Sequence, residues 1–185
     1  QKFIITDGHI DTPWKLSKNY EDISVRTKTG DFDYVRAKEG GLDVPFMAIY
    51  IPSSYLETGG AKEKADSLID MVEQIANKDP DKFEIAYSLS DANRIFKEGK
   101  VALPMGMENG AGIEDDIKNL KHFYDRGIRY ITLTHSKDNL ICDSSYDEEE
   151  DTWGGLSPYG RKVVKEMNRL GIMVDISHVT DEVIN

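Results

Sequence analysis

Residues 157–178 read SPYGRKVVKEMNRLGIMVDISH. Ser157-Pro158 has the form of a helix start, because proline is tolerated in the first turn, where its missing amide is not needed. The spacing predicts a helix to Leu170, stopped by Gly171. Ile172 to Ile176 is then a short apolar strand, and Ser177-His178 stands at its exit. One helix feeding one strand that ends on a histidine is a complete repeat unit of an α/β fold.

The same rhythm runs through the chain. Phe3 to Thr6 reads as a first strand ending in Asp7-Gly8. Val44 to Ile51 (VPFMAIYI) is almost continuously apolar, as a strand buried on both faces should be. Ala61 to Asn77 places Leu68, Met71, Val72 and Ile75 at helical spacing before Asp79-Pro80. Ile85 to Ser88 is a brief strand-like stretch, and Ser90 is the expected cap of a helix closed by Gly99. Val101 to Met107 and Arg129 to Thr134 read as strands, and Ile113 to Arg126 between them as a helix ended by Gly127. Thr180-Asp181-Glu182 begins another helix. Residues 31–41 and 142–155 are expected to be loops, the second carrying the acidic run Asp147 to Asp151 on a solvated surface. No linker divides the chain, so a single domain over 1–185 is expected.

Main strands near residues 3, 44, 101, 130 and 172 give the beat of a (β/α)8 TIM-type barrel. Such a barrel has eight strands and about 250 residues. The chain is therefore expected to supply the first five strands of a longer barrel.

Composition limits the function. There are 23 basic and 34 acidic residues, a net charge of −11. Phosphate-backbone binding needs a basic stripe, so a nucleic-acid partner is not expected. No run of about 18 apolar residues is present, so no transmembrane helix is expected. Cys142 is the only cysteine, which excludes an internal disulfide and a Cys-rich zinc motif. It reads as a loop thiol, since no histidine–acid arrangement adjoins it. The six methionines are read as core. The chain opens on Gln1 instead of Met, so removal of a leader or a tag is expected; a leader would imply an extracytoplasmic location, with a cytoplasmic one as the alternative.

Reactive residues of a β/α barrel lie at the C-terminal ends of its strands. Here those ends hold His9 and Asp11, then Glu108 in the glycine-flanked segment 106–110, then His135, then His178. Side chains two apart on a strand share a face, so His9 and Asp11 can reach one ion. Imidazole nitrogen and carboxylate oxygen both suit zinc. A carboxylate can bridge two ions about 3.5–4 Å apart with a hydroxide between them.

DGHIDTPW (7–14), GMENG (106–110), YITLTHS (130–136) and GLSPYGRKVVKEMNRLGIMVDISHV (155–179) resemble signature segments of the membrane (renal) dipeptidase family, the M19 metallopeptidases. The resemblance runs in order over almost the whole chain. It implies a β/α barrel with a binuclear zinc site that hydrolyses dipeptides, often as a homodimer. By position, His9 and Asp11 resemble ligands of the first zinc, Glu108 the bridging carboxylate and His178 a ligand of the second. His135 resembles the histidine that contacts substrate and stabilises the tetrahedral oxyanion. Trp14 stands where the family's substrate pocket wall begins. The family's further zinc histidine, substrate-binding arginine and proton-transfer acid have no counterpart in these residues. Two other readings follow: a non-catalytic metal-binding fragment, or a related amidohydrolase acting on other amides. Barrels of the latter kind often begin with His-x-His, whereas this chain has His-x-Asp.

Overall fold

The computed structural model describes residues 3–147 and 150–185; Gln1 and, in the acidic run, Glu148 and Glu149 lie outside them. In chain order the elements are β1 (Thr6–Ile10), α1 (Thr12–Lys18), α2 (Tyr34–Gly40), β2 (Val44–Tyr50), α3 (Tyr55–Thr58), α4 (Ala61–Lys78), β3 (Phe83–Glu84), α5 (Leu89–Lys97), β4 (Val101–Ala102), β5 (Met105–Glu108), α6 (Lys118–Asp125), β6 (Ile128–Thr132), α7 (Pro158–Leu170), β7 (Met173–Asp175) and α8 (Asp181–Ile184). No helix among the described residues is long and apolar enough to cross a membrane. Two compact units share the chain: Gln1–Ile49 with Ser67–Met105, and Tyr50–Asp66 with Gly106–Asn185.

In the first unit, β1 pairs with β2 in parallel, Thr6 opposite Val44. The Met47 amide donates to the Pro104 carbonyl, which begins the next ladder. β2 is buried along nearly its whole length, as its apolar run requires. Met47, Ile49, Leu68, Val72, Phe83, Ile95 and Leu103 are fully enclosed. The expected strand over 101–107 is two strands, because Pro104 has no amide to carry a continuous ladder. β4 pairs in parallel with β3 in a separate two-stranded sheet.

The first strand lies three residues later than Phe3 to Thr6. Asp43 takes the Ile5 amide on its carboxylate while the Ile5 carbonyl accepts the amides of Asp43 and Val44, so the ladder begins there and runs through DGHI. Residues 34–40 of the expected loop form α2. Its buried cap Asp33 accepts the Arg36 amide at 2.8 Å and the Thr27 amide at 3.0 Å, and pairs with the Arg36 guanidinium. α5 is capped by Ser88, whose hydroxyl accepts the Asp91 amide at 3.1 Å; Ser90 lies inside the first turn. The brief strand falls at Phe83–Glu84 instead of 85–88, and α1 and α3 occupy segments to which the sequence reading assigned no element.

In the second unit, the Ile51 amide, one residue past β2, donates to the carbonyl of Glu108, the last residue of β5. β6 follows β5, and β7 pairs in parallel with β6. Ile113, Leu120, Phe123, Ile131, Val163 and Met167 close the core between these strands, α6 and α7. α7 has the ends its sequence announces: the Ser157 hydroxyl accepts the Gly160 amide at 2.8 Å, and Gly171 closes it at φ 82°. The helix expected over 113–126 begins at Lys118, because Glu114 takes φ 55° and a short 3-10 turn occupies Gly110–Ile113. Met173 is not core: it is 55% exposed on the last strand of the sheet.

The described residues between 138 and 155 carry no helix or strand, but they are tied together by the acids Asp138 and Asp143. Asp138 accepts the amides of Ser144 and Thr152, and buried Asp143 those of Trp153 and Gly155. Cys142 is enclosed beside them.

Candidate metal centre

β1 delivers His9 within the strand and Asp11 one residue beyond it. The His9 amide donates to the Asp7 carboxylate, and His9 Nε2 stands 3.5 Å from Asp11 Oδ1. Asp11 occupies the cap position of α1, yet its carboxylate makes no capping bond and is half exposed. Trp14 lies on α1 with the Lys18 ammonium 4.2 Å above its ring. Asp11 and Trp14 both line a cavity of about 600 Å³ formed within the first unit by α1 and residues 19–32.

In the second unit the ends of three successive strands meet chemically. Glu108 is the last residue of β5 and is buried. His135 and His178 each lie three residues past their strands, β6 and β7. His178 Nε2 is 3.1 Å and His135 Nε2 3.6 Å from the same oxygen, Glu108 Oε1. The two imidazole centroids are 4.5 Å apart. In a tetrahedral zinc site with bonds of about 2.0–2.2 Å, neighbouring ligand atoms lie about 3.3 Å apart. The observed separations bracket that edge, and the three donors are within reach of one ion. Imidazole nitrogen and carboxylate oxygen are donors that zinc accepts, so Glu108 and His178 fit the metal, with the His135 ring beside them.

The surroundings hold the rings in place. The Ser144 hydroxyl donates to the His135 carbonyl, and the Ser145 amide and hydroxyl donate to the His178 carbonyl at 3.0 and 3.2 Å. Tyr50 packs edge-on to His135 at 4.9 Å, and Tyr146, largely exposed, stands 5.5 Å from His178. None of these four was marked in the sequence. Tyr50 sits at a strand exit and was open to the rule that found His135. The serines and Tyr146 lie in an aperiodic segment, where no local pattern marks them. Cys142 is no competitor for the chemistry, since burial pushes its thiol up to about 12.

The chain is similar to known dipeptidases. A probable dipeptidase, PvdM, from Pseudomonas aeruginosa superposes with a TM-score of 0.86 at 26% identity, covering 99% of this chain and 48% of that one. Dipeptidase AC, a metallopeptidase of family M19, gives 0.85 at 26% identity over 99% of this chain and 59% of its own. An uncharacterised dipeptidase of Schizosaccharomyces pombe is 34% identical over 97% of this chain. This chain spans about half (47%) of that relative's length. The fold is that of the N-terminal part of a TIM-type barrel. The family model for membrane dipeptidases matches residues 1–185, and the chain belongs to that family, peptidase family M19.

Proposed function

We propose that this chain carries the N-terminal share of a zinc-dependent dipeptidase active site, within one barrel domain, with two ions held by His9, Asp11, Glu108 and His178. The observation that supports it most is the convergence of His135 and His178 on the Glu108 carboxylate. By family resemblance, His9 and Asp11 would hold the first ion, His178 would hold the second, and Glu108 would serve both. When bound, zinc polarises a carbonyl and lowers the pKa of water toward ~7.

The chain's own residues do the rest. His135 Nε2 donates to the substrate carbonyl oxygen as negative charge develops there. Ser144 holds the His135 backbone, Tyr50 packs against the His135 ring, and Ser145 holds the His178 backbone, which limits reorganisation on reaction. Trp14 walls the cavity beside Asp11, where a substrate side chain can lie. A homodimer and an extracytoplasmic location accompany this reading as family traits, open to light scattering and cell fractionation.

Metal analysis and dipeptide turnover of the full-length protein test it. Glu108→Gln should bind zinc measurably but more weakly, and turnover should fall by more than the ~10–100-fold typical of losing an outer partner. Retention of both metal and activity in that variant overturns the reading.

A further inference from the structure

We infer that Asn109 and Asn139 are positioning residues that set Glu108 at the end of β5, an inference that rests on the metal-binding reading of Glu108. Asn109 directly follows Glu108 and is fully buried. Its backbone has φ 76° and ψ 107°, a conformation that L side chains rarely adopt. Glycine would take it freely, so the asparagine side chain has work that glycine could not do.

That work is visible in its bonds. Asn109 Nδ2 donates to the Ile51 carbonyl at 2.9 Å, and the Ile51 amide donates to the Glu108 carbonyl at 3.0 Å. The Glu108–Asn109 peptide and the Asn109 side chain are thus both held by one residue at the exit of β2. Asn109 Oδ1 accepts the Ala111 amide at 3.2 Å and Asn139 Nδ2 at 3.1 Å. Asn139 Nδ2 also donates to the Leu133 carbonyl at 2.8 Å, two residues before His135. Asn139 Oδ1 accepts the amides of Ile141 and Cys142 at 2.8 and 3.2 Å. Two carboxamides therefore link the exits of β2, β5 and β6. Only a carboxamide presents donor and acceptor on one short stem: aspartate lacks the donor and leucine lacks both. Every one of these groups is buried, so removing one partner leaves another unsatisfied. The arrangement turns the chain out of β5 immediately after Glu108 and fixes its main chain relative to the strand that carries His135.

A double-mutant cycle on the full-length, metal-loaded protein tests this. Asn109→Gly tolerates the backbone and deletes the bonds; Asn139→Ala deletes the second carboxamide. Each is made alone and with Glu108→Gln. Zinc affinity is read by chelator competition, the cobalt-substituted protein by its visible spectrum, and folding by circular dichroism. Each single variant should weaken zinc about 10–100-fold and shift the cobalt bands, as outer partners of metal ligands do. In the Glu108→Gln background neither should weaken zinc further, because the effect passes through Glu108. Wild-type affinity in Asn109→Gly, or an equal loss in both backgrounds, overturns the inference while leaving Glu108 a ligand. Full zinc content in Glu108→Gln alone overturns the ligand reading, and the inference with it. If Asn109→Gly does not fold, Asn109→Asp, which keeps both acceptor contacts and loses the bond to Ile51, is read by the same criteria.

Discussion

Alanine at position 106 would bring a methyl group into the ring of Tyr130. A Cβ there would lie 2.1 Å from Tyr130 Cε1 and Cζ and 2.5 Å from Cδ1. Carbon atoms pack at about 3.5–4.0 Å, so the ring must withdraw by more than about 1 Å. Tyr130 is only 7% exposed on the neighbouring strand β6, which leaves it little room. Overfilling a packed core costs ~1–3 kcal/mol, and an overlap this deep belongs near ~3 kcal/mol. With a urea slope of roughly 2 kcal/mol/M, the unfolding midpoint of Gly106→Ala should fall by about 1.5 M. Adding Tyr130→Leu makes space, so in that background the alanine should cost under about 1 kcal/mol. Residues 106 and 108 share one face of β5, so the single variant should also hold zinc less tightly. A midpoint within about 0.25 M of wild type, or the same cost in both backgrounds, would refute the argument from contact.

Two other expectations concern single groups. The Lys78 ammonium, 2.7 Å away, with help from Ser24, holds the Asp22 carboxyl down at about 2 against an ordinary 3.8. A depressed carboxyl stabilises the fold above its unfolded pKa and ceases to as pH falls through about 2, so the stability gap between wild type and Asp22→Asn should vanish there. Because Asp22 is 39% exposed, solvent screening keeps that gap below ~1 kcal/mol at pH 6; a gap unchanged at acid pH counts against the pair. Cys142, enclosed and with its thiol raised to about 12, should resist thiol reagents at pH 8 until urea is added. Labelling of the native protein at the unfolded rate would contradict this.

What could be read in advance was what the chain decides locally. α7 announces itself through Ser157, Pro158 and Gly171 because cap and stop are neighbours of the helix they bound. β2 is legible because burial on both faces leaves no alternation to misread. Glu108, His135 and His178 were found because strand exits in a β/α repeat are predictable places. α2 was missed because its cap, Asp33, draws on Thr27 six residues away. The bonds of Asn109, Asn139, Ser144 and Ser145 were invisible for the same reason, since their partners come together only on folding. The strand expected over 101–107 is broken in two because Pro104 lies within it.

The segment around Asp138 and Asp143 has a bearing on where such a protein can operate. Among the described residues, these acids are answered by peptide amides and not by lysines or arginines. Dissolved sodium and chloride weaken a bond between two mobile ions, but a dipole built into the main chain cannot be exchanged for one from solution. The rim that steadies both imidazoles should hold its outline from dilute buffer to brine, even as the chain's exposed ion pairs loosen.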